Sequence, residues 1–219
     1  MTKKLVIFGT GQIAELAAYY FEHDSEYDVE AFTVDSQYIE DSTFMGKPLA
    51  AFDNIESVYP PEENSMFVAL SYTDMNKIRE AKYLESKKKG YEMASYISSK
   101  ASIFSNEFGD NCFVLEDNTI QPYVKIGNNV TLWSGNHIGH HSVIGDHTFI
   151  SSHVVVSGNV VIGKNCFFGV NSTLHNNLTI ADFALIGAGA CISKSIEEPE
   201  SVYTIKPAAL YHKKSIGLL

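Results

Sequence analysis

Apolar residues recur at every sixth position through the second half of the chain, without one insertion. Fifteen consecutive aliphatic or aromatic positions form this series, and we call them the anchors: Phe108, Val114, Ile120, Ile126, Leu132, Ile138, Ile144, Ile150, Val156, Ile162, Phe168, Leu174, Ile180, Ile186 and Ile192. Four residues after most anchors comes a second inward-type residue, as at Val124, Ser142 and Cys166. A period of six matches neither an α-helix nor a single strand, so the pattern predicts a solenoid of short repeats.

Glycines add a longer period of eighteen residues. Gly109, Gly127, Gly145 and Gly163 each follow an anchor directly and are spaced by eighteen. Three hexads per coil predict a triangular prism with three short strands per turn, in which each coil buries its apolar side by stacking on its neighbours. Fifteen hexads therefore predict an all-β parallel helix of about five coils.

The first hundred residues follow a different pattern. Buried strands are predicted at 4–9, 29–35 and 66–70, and helices at 12–22 and 74–89, with Gly90 as a stop. Segment 36–65 holds three prolines and predicts a loop with one short strand. Because strand–helix–strand order favours a parallel sheet, we expect an α/β, Rossmann-like unit over 1–100 and the β-helix with a tail over 101–219.

Five of the eight histidines lie between residues 136 and 156. The third position after an anchor is Asn, Asp, His or Gly in twelve of fourteen cases, and these residues tolerate the positive φ of a corner. His141, His147 and His153 fall on that position, so corner geometry explains them. His140 lies one residue earlier, where no corner requires histidine. It is either a catalytic group or a solvated histidine at the edge.

Charge and cysteine content exclude several classes of function. The formal net charge is −10, which disfavours nucleic acid or an anionic membrane as partner. No stretch approaches the roughly 18 apolar residues of a membrane span, and the N-terminal apolar run is too short for a signal peptide. The three cysteines form no CxxC pair, which disfavours a disulfide framework and fits a cytoplasmic location.

Hexads such as IGDHTF and IGKNCF resemble the repeat of the left-handed parallel β-helix acyltransferases. With the α/β unit in front, the whole chain resembles the bacterial nucleotide-sugar N-acetyltransferases and sialic-acid O-acetyltransferases. The left-handed sense rests on this resemblance, because the general rule for parallel crossovers is right-handed. The resemblance also implies a homotrimer with active sites between prisms. Related prisms that bind zinc use two histidines five residues apart, a spacing absent here, so we expect no metal.

The matching segment HIGHHSVIG implies that His140 is the general base of acyl transfer. Gly158 follows eighteen residues later, one coil away, and its N–H is implied to face the oxyanion; a tight corner is the alternative explanation. The family places an acidic residue beside the base, but this chain has His141 there. We therefore assign His141 to the catalytic group, and Asp146 is a second candidate for the partner that orients His140.

Acetyl-CoA is the implied acyl donor, with its pantetheine arm bonded to backbone amides along the prism. The matching stretches GVNS and GAGA assign this role to Gly169, Val170, Gly187 and Ala188. Phe149 occupies a position where the family has a histidine that contacts acyl-CoA, so we include it in the acyl-CoA site. Lys213 and Lys214 in the tail are candidates for the CoA phosphates or are simply solvated.

The turn GTGQIA at 9–14 follows a strand, precedes a helix and satisfies a dinucleotide pattern, which leaves an NAD enzyme open. The resemblance instead implies that the turn binds the phosphates of a nucleotide sugar at a helix N-terminus. The substrate-binding residues expected here are Gly9, Gly11, Gln12, Ile13, Asp35, Ser36 and Ser71. Asn76 and Arg79 repeat an N-x-x-R helix start of relatives, although a surface cation also explains Arg79.

Together these features predict an acetyl-CoA-dependent N-acetyltransferase that acts on a nucleotide-linked amino sugar, expected to be a 4-amino-dideoxy sugar. Three alternatives remain from the sequence. The first is O-acetylation of a sugar of the sialic-acid type, the second is a non-catalytic scaffold that binds a nucleotide sugar, and the third is an NAD enzyme.

Overall fold

The computed structural model of the protein describes residues 3–206 and 208. The N-terminal unit contains β1 (Lys3–Phe8), α1 (Gln12–His23), β2 (Tyr27–Val34), β3 (Thr43–Phe44), β4 (Lys47–Ala51), α2 (Ile55–Val58), β5 (Asn64–Val68) and α3 (Lys77–Lys88). Its five strands are ordered β3-β4-β2-β1-β5, and all neighbours are parallel except β3 and β4. The predicted strands and helices are confirmed. Segment 36–65, predicted as a loop with one short strand, instead contains the β3–β4 hairpin and α2. The hairpin turns at Met45 and Gly46, which both have positive φ.

Alternate residues of β1 face opposite layers of this sheet, as the pleat requires. Leu5 and Ile7 pack on the side of α1, whereas Val6 and Phe8 pack on the side of α2 and α3. All four side chains are almost completely buried. Because β1, β2, β4 and β5 run parallel, their carboxyl ends meet at one edge of the sheet, where the turn after β1 lies.

The second half of the chain forms a prism of parallel two-residue strands in three sheets of seven, six and five strands. The first face contains β6 (Tyr96–Ile97), β9 (Phe113–Val114), β12 (Thr131–Leu132), β15 (Phe149–Ile150), β18 (Phe167–Phe168), β21 (Leu185–Ile186) and β23 (Val202–Tyr203). The second face contains β7 (Ser102–Ile103), β10 (Thr119–Ile120), β13 (His137–Ile138), β16 (Val155–Val156), β19 (Thr173–Leu174) and β22 (Cys191–Ile192). The third face contains β8 (Glu107–Phe108), β11 (Lys125–Ile126), β14 (Val143–Ile144), β17 (Val161–Ile162) and β20 (Thr179–Ile180).

This arrangement of stacked parallel strands fits the expected left-handed β-helix, but it has about six coils rather than five. The prism begins at β6, whose Tyr96 and Ile97 pair with Phe113 and Val114, so it starts before residue 101. The step from Ile103 to Phe108 is five residues instead of six. That one irregularity hid the first coil from the hexad pattern.

The anchors and corners lie where the hexad pattern predicts them. Every anchor points into the prism core, and only Phe108 is incompletely buried. All fourteen predicted corner residues have positive φ, between 53° and 76°. Asn118 and Asn136 also point inward, and their Nδ2 groups donate to backbone carbonyls of the coil, which satisfies these two donors within an apolar core.

The N-terminal unit covers the first face of the prism. Phe113, Leu115 and Trp133 project from that face into the same apolar cluster as α1. Trp133, which the hexad pattern places outside the prism, thus packs between the two halves of the chain. The second and third faces carry exposed side chains, including Val155 and Val161.

Arg79 joins α3 to the corner between the third and first faces. Its guanidinium is 1% exposed and donates five hydrogen bonds, among them to the carbonyl oxygens of Asn129 and His147 (2.8 Å to the latter). Asn76 is also buried and donates to carbonyls of Asn165 and Cys166. The interpretation of Arg79 as a surface cation is therefore wrong. Burial lowers the pKa of Arg79 to about 10, so it remains a cation at neutral pH.

Candidate functional site

His140 lies at the corner between the second and third faces, directly beside Gly158 of the next coil. A methyl group built on Gly158 would lie 2.7 Å from both Cε1 and Nε2 of His140, so only glycine leaves room for this ring position. The backbone N–H of His140 donates to Oε1 of Gln121 at 2.9 Å, and its carbonyl accepts from Asn159 N–H at 2.9 Å. The exposed imidazole therefore rests over a glycine backbone, with Nε2 on that side.

The N–H of Gly158 has no acceptor among residues 3–206 and 208. At the same repeat position, the N–H groups of Asp110, Asn128 and Lys164 each donate to a side chain of the next coil. The corner of Gly158 thus presents a free backbone donor beside an imidazole. A free donor next to a base is the arrangement that acyl transfer requires for its oxyanion and its proton.

His141 lies against the other ring nitrogen of His140. The two Nδ1 atoms are 3.0 Å apart, and the rings are nearly perpendicular, with an interplanar angle of 87°. Asp146 lies at the corner between the third and first faces, where its Oδ1 accepts from the N–H of Asn128 at 2.7 Å. The suggestion that Asp146 orients His140 is therefore wrong, since a side chain two residues past the next anchor belongs to the next corner.

The residues assigned to acetyl-CoA separate into three groups. Val170 and Ala188 are exposed at the corner between the first and second faces, and their N–H groups have no acceptor within the described part of the chain. The N–H groups of Gly169 and Gly187 instead donate to Ile186 and Tyr203 in the strand ladder, both at 2.7 Å. These two glycines therefore have no free amide N–H for a cofactor.

Phe149 does not line an exposed groove, contrary to its assignment. Its ring is 3% exposed and lies between Tyr72 (centroids 5.0 Å apart), Phe167 (5.8 Å) and Trp133 (6.3 Å). Phe149 faces outward from the first face, which the N-terminal unit covers. A large apolar side chain is what that covered face requires, and the hexad pattern alone does not show which face is covered.

A cleft of about 500 Å³ opens at the carboxyl edge of the N-terminal sheet. Four of the seven residues assigned to the substrate line it, namely Gly11, Gln12, Ile13 and Ser71. The other lining residues are Ala69, Leu70, Tyr72 and Thr73. Gly11 is the N-cap of α1, and a methyl group built on it would meet nothing within 4 Å. The first turn of the helix thus faces open space, which suits a phosphate group.

The other three assigned residues, Gly9, Asp35 and Ser36, lie outside the lining of this cleft. Gly9 has φ of +129°, and a methyl group on it would lie 2.8 Å from the carbonyl oxygen of Ala69, so the turn requires glycine. Asp35 follows β2 and forms an ion pair with Lys82, 2.6 Å from Oδ1 to Nζ. The Ser36 N–H donates to the carboxylate of Asp53 at 3.0 Å. Neither Asp35 nor Ser36 lines the cleft itself.

Tyr72 and Gln121 were not anticipated from the sequence. Tyr72 is 51% exposed, lines the cleft and also contacts Phe149 and Phe167 of the prism, so it connects the two halves. Gln121 fixes the backbone of His140 from the preceding coil. Neither belongs to a motif, because both act through neighbours that are distant in sequence.

Within one chain these groups do not form a single site. The cleft lies beside the first face, whereas His140 lies at the corner between the second and third faces, which is opposite the first face. Val170 and Ala188 lie at a third location. Among the described residues, no group of three or more His, Cys, Asp or Glu side chains is placed to bind a metal ion. None of the described helices is both long and apolar enough to span a bilayer.

Comparison with known proteins agrees with this description. Residues 123–158 match the family model of the bacterial transferase hexapeptide with six repeats. No curated protein matches the chain by sequence. The tail residues Lys213 and Lys214 lie outside the described residues.

Several solved structures share the fold. The acetyltransferase domain of PglB from Neisseria gonorrhoeae FA1090 has 21% identity and a TM-score of 0.78, with 90% of this chain and 94% of that chain covered. PerB from Caulobacter crescentus, solved with CoA and GDP-perosamine, has 20% identity and a TM-score of 0.78, with 90% and 91% covered. WeeI from Acinetobacter baumannii AYE has 20% identity and a TM-score of 0.75, with 89% and 93% covered. Residues 123–158 thus carry the bacterial transferase hexapeptide repeat, and the chain shares the fold of these solved structures, as the resemblance of its sequence indicated.

Proposed function

We propose that the protein transfers an acetyl group from acetyl-CoA to the amino group of a nucleotide-linked sugar, with His140 as general base. One observation carries the proposal: the Nε2 side of an exposed imidazole lies over Gly158, whose backbone N–H has no acceptor among the described residues. A thioester bound at this corner would have its carbonyl oxygen near the N–H of Gly158. The sugar amine that attacks it would then lie near Nε2 of His140.

The proton in this reaction follows a short route. The neutral amine attacks the thioester carbonyl, a C–N bond forms, and Nε2 of His140 takes the proton that the nitrogen loses. The N–H of Gly158 donates to the oxyanion while it exists. When the C–S bond breaks, the proton on His140 returns to the sulfur of the leaving CoA, and the neutral imidazole is restored.

We propose that the N-terminal unit is a Rossmann-like module that holds the nucleotide sugar in the cleft. The phosphates would lie against the first turn of α1 at Gly11, Gln12 and Ile13, with Ser71 on the opposite wall. We expect Asp35, which follows β2 and lies outside the lining of the cleft, to contact the ribose or base of a nucleotide that extends beyond it. The fold likeness to PerB, which was solved with a GDP-linked sugar, supports an amino-sugar nucleotide, and a 4-amino-dideoxy sugar remains our specific expectation.

We also propose a homotrimer. A sugar in the cleft cannot reach His140 of the same chain, because the prism stands between them. Packing of prisms side by side would bring His140 of one copy toward the cleft of another and Val170 and Ala188 toward the same groove. Exposed Val155 and Val161 on the two uncovered faces supply apolar surface for such contact.

Acetyl transfer is tested by mixing the protein with acetyl-CoA and UDP-, GDP- or dTDP-linked 4-amino sugars. Loss of thioester absorbance is the better readout, because the exposed thiol of Cys191 would also react with thiol reagents. We expect turnover with one nucleotide and a loss of about 100-fold or more in kcat for His140→Asn. Turnover only with hydroxyl sugars would identify an O-acetyltransferase, and no turnover with any acceptor, although the nucleotides bind, would identify a scaffold.

A further inference from the structure

The base His140 has a second imidazole, that of His141, as its side-chain partner. Its Nδ1 lies 3.0 Å from Nδ1 of His141, so exactly one proton can occupy the space between the two atoms. If His140 carries that proton, its Nε2 is unprotonated and can act as a base. If His141 carries it, a neutral His140 has its single N–H proton on Nε2, and Nε2 cannot accept a proton from a substrate.

The ring of His141 is itself held in place. The residue has φ of 60°, its N–H donates to the carbonyl of Pro122, and its ring lies 4.7 Å from that of Tyr123. Tyr123 is the titratable group that faces the pair from the preceding coil, and Asn159 and Gly158 face it from the next. Among the described residues, no carboxylate or ammonium group forms a salt bridge with either ring.

We propose that His141 is a positioning residue that sets the tautomer of His140 by accepting the proton of its Nδ1 at its own Nδ1. This inference rests on the proposed role of His140 as base. It follows that one additional proton on the pair blocks Nε2 of His140. Only one proton fits between the two Nδ1 atoms, so the other two protons must then occupy the Nε2 atoms of His140 and His141.

Three substitutions separate positioning from proton sharing. His141→Asn keeps an acceptor for Nδ1–H but does not titrate, and asparagine is the commonest residue at these corners. His141→Asp supplies an anion, and His141→Ala supplies no acceptor. We expect the alkaline plateau of kcat to fall about 10-fold or more in the alanine variant, with KM within about 2-fold, and to be restored by asparagine or aspartate.

The acidic limb of the kcat/KM profile is the second readout. Its midpoint should move to lower pH in His141→Asn, because the shared site for the extra proton is lost. It should move to higher pH by about one unit in His141→Asp, because an anion favours the imidazolium. His153→Ala is the matched control, since His153 is an exposed corner histidine with φ of 59° on another side of the prism. It should leave both the plateau and the midpoint unchanged.

Ring ¹⁵N NMR of the free protein tests the pair without any substrate. We expect His140 to carry its proton on Nδ1 in the wild type and mainly on Nε2 in His141→Ala. The same tautomer in both proteins, or identical rate profiles for wild type and all three variants, would overturn the role of His141. If the tautomer changes as expected but no acceptor is ever acetylated, the positioning by His141 stands and the proposed function fails.

Discussion

Replacing Gly158 by alanine should lower activity while leaving the fold intact. The new Cβ would lie 2.7 Å from Nε2 and Cε1 of His140, whereas ordinary contacts begin near 3.4 Å, so the ring must move by about 0.7 Å or more. It can move, because His140 is exposed, and the φ of Gly158 is not in the left-handed region. A misplacement of about 1 Å costs roughly 100-fold in rate, so we expect kcat to fall by about 10- to 100-fold, or about 1.4–2.8 kcal/mol.

Stability and activity should therefore change independently. Replacement of glycine by alanine at an ordinary φ restricts the unfolded chain and stabilises by up to about 1 kcal/mol, so the melting temperature should stay the same or rise slightly. Thioester consumption at saturating acetyl-CoA measures kcat, and urea unfolding measures stability. A double-mutant cycle with His140→Asn isolates the contact, because Gly158→Ala should cost much less once the imidazole is gone. Full activity of folded Gly158→Ala, or an equal loss in the His140→Asn background, would refute the reasoning.

Three further outcomes follow from the contacts. Arg79→Met should lower the free energy of unfolding, measured in urea, by about 3–5 kcal/mol, because it leaves the carbonyls of Asn129 and His147 buried without a donor. A change below about 1 kcal/mol would contradict the role of Arg79 in docking α3 on the prism. Hydrogen bonds from Ser99 and Tyr96 lower the pKa of Asp24 from 3.8 to about 2, so this stabilisation exists above about pH 4 and disappears as the pH falls toward 2. Asp24→Asn should therefore lower the free energy of unfolding by about 1 kcal/mol at pH 7, after allowance for solvent screening, and by much less at pH 2. An equal loss at both pH values would show that the stabilisation does not depend on ionisation of the Asp24 carboxylate. Gly11→Val should keep the melting temperature within about 2 °C but weaken nucleotide binding, measured by calorimetry, at least 10-fold. The valine side chain would enter the open space at the N-terminus of α1 where the phosphates are expected. Unchanged affinity would exclude this turn as the phosphate site.

The sequence was sufficient to predict the prism and its corners because both depend on local geometry. An inward anchor every six residues and a residue tolerant of positive φ three positions later are requirements of each coil, whatever packs outside it. The same register placed His140 and Gly158 on adjacent coils. The irregular step before Phe108 concealed the first coil, because a repeat is recognised only while its period holds.

The assignments that failed concern outward-facing residues. Phe149 points away from the prism core and Arg79 points away from its helix, and the hexad pattern is the same for a covered face and an exposed one. Their environment depends on how the N-terminal unit docks on the first face. Docking buries the guanidinium of Arg79 against backbone carbonyls and converts an apparent surface cation into a structural link.

By itself, the sequence determined the repeat, its inward and corner positions, and the pairing of an imidazole with a glycine one coil away, because the hydrophobic period and backbone sterics act over a few residues. Only the tertiary structure decided which face is covered, which backbone amides remain free, and that His141 rather than Asp146 contacts the base. These depend on contacts between residues far apart in the chain, and one residue of shift at a corner moves a side chain to a different side of the prism.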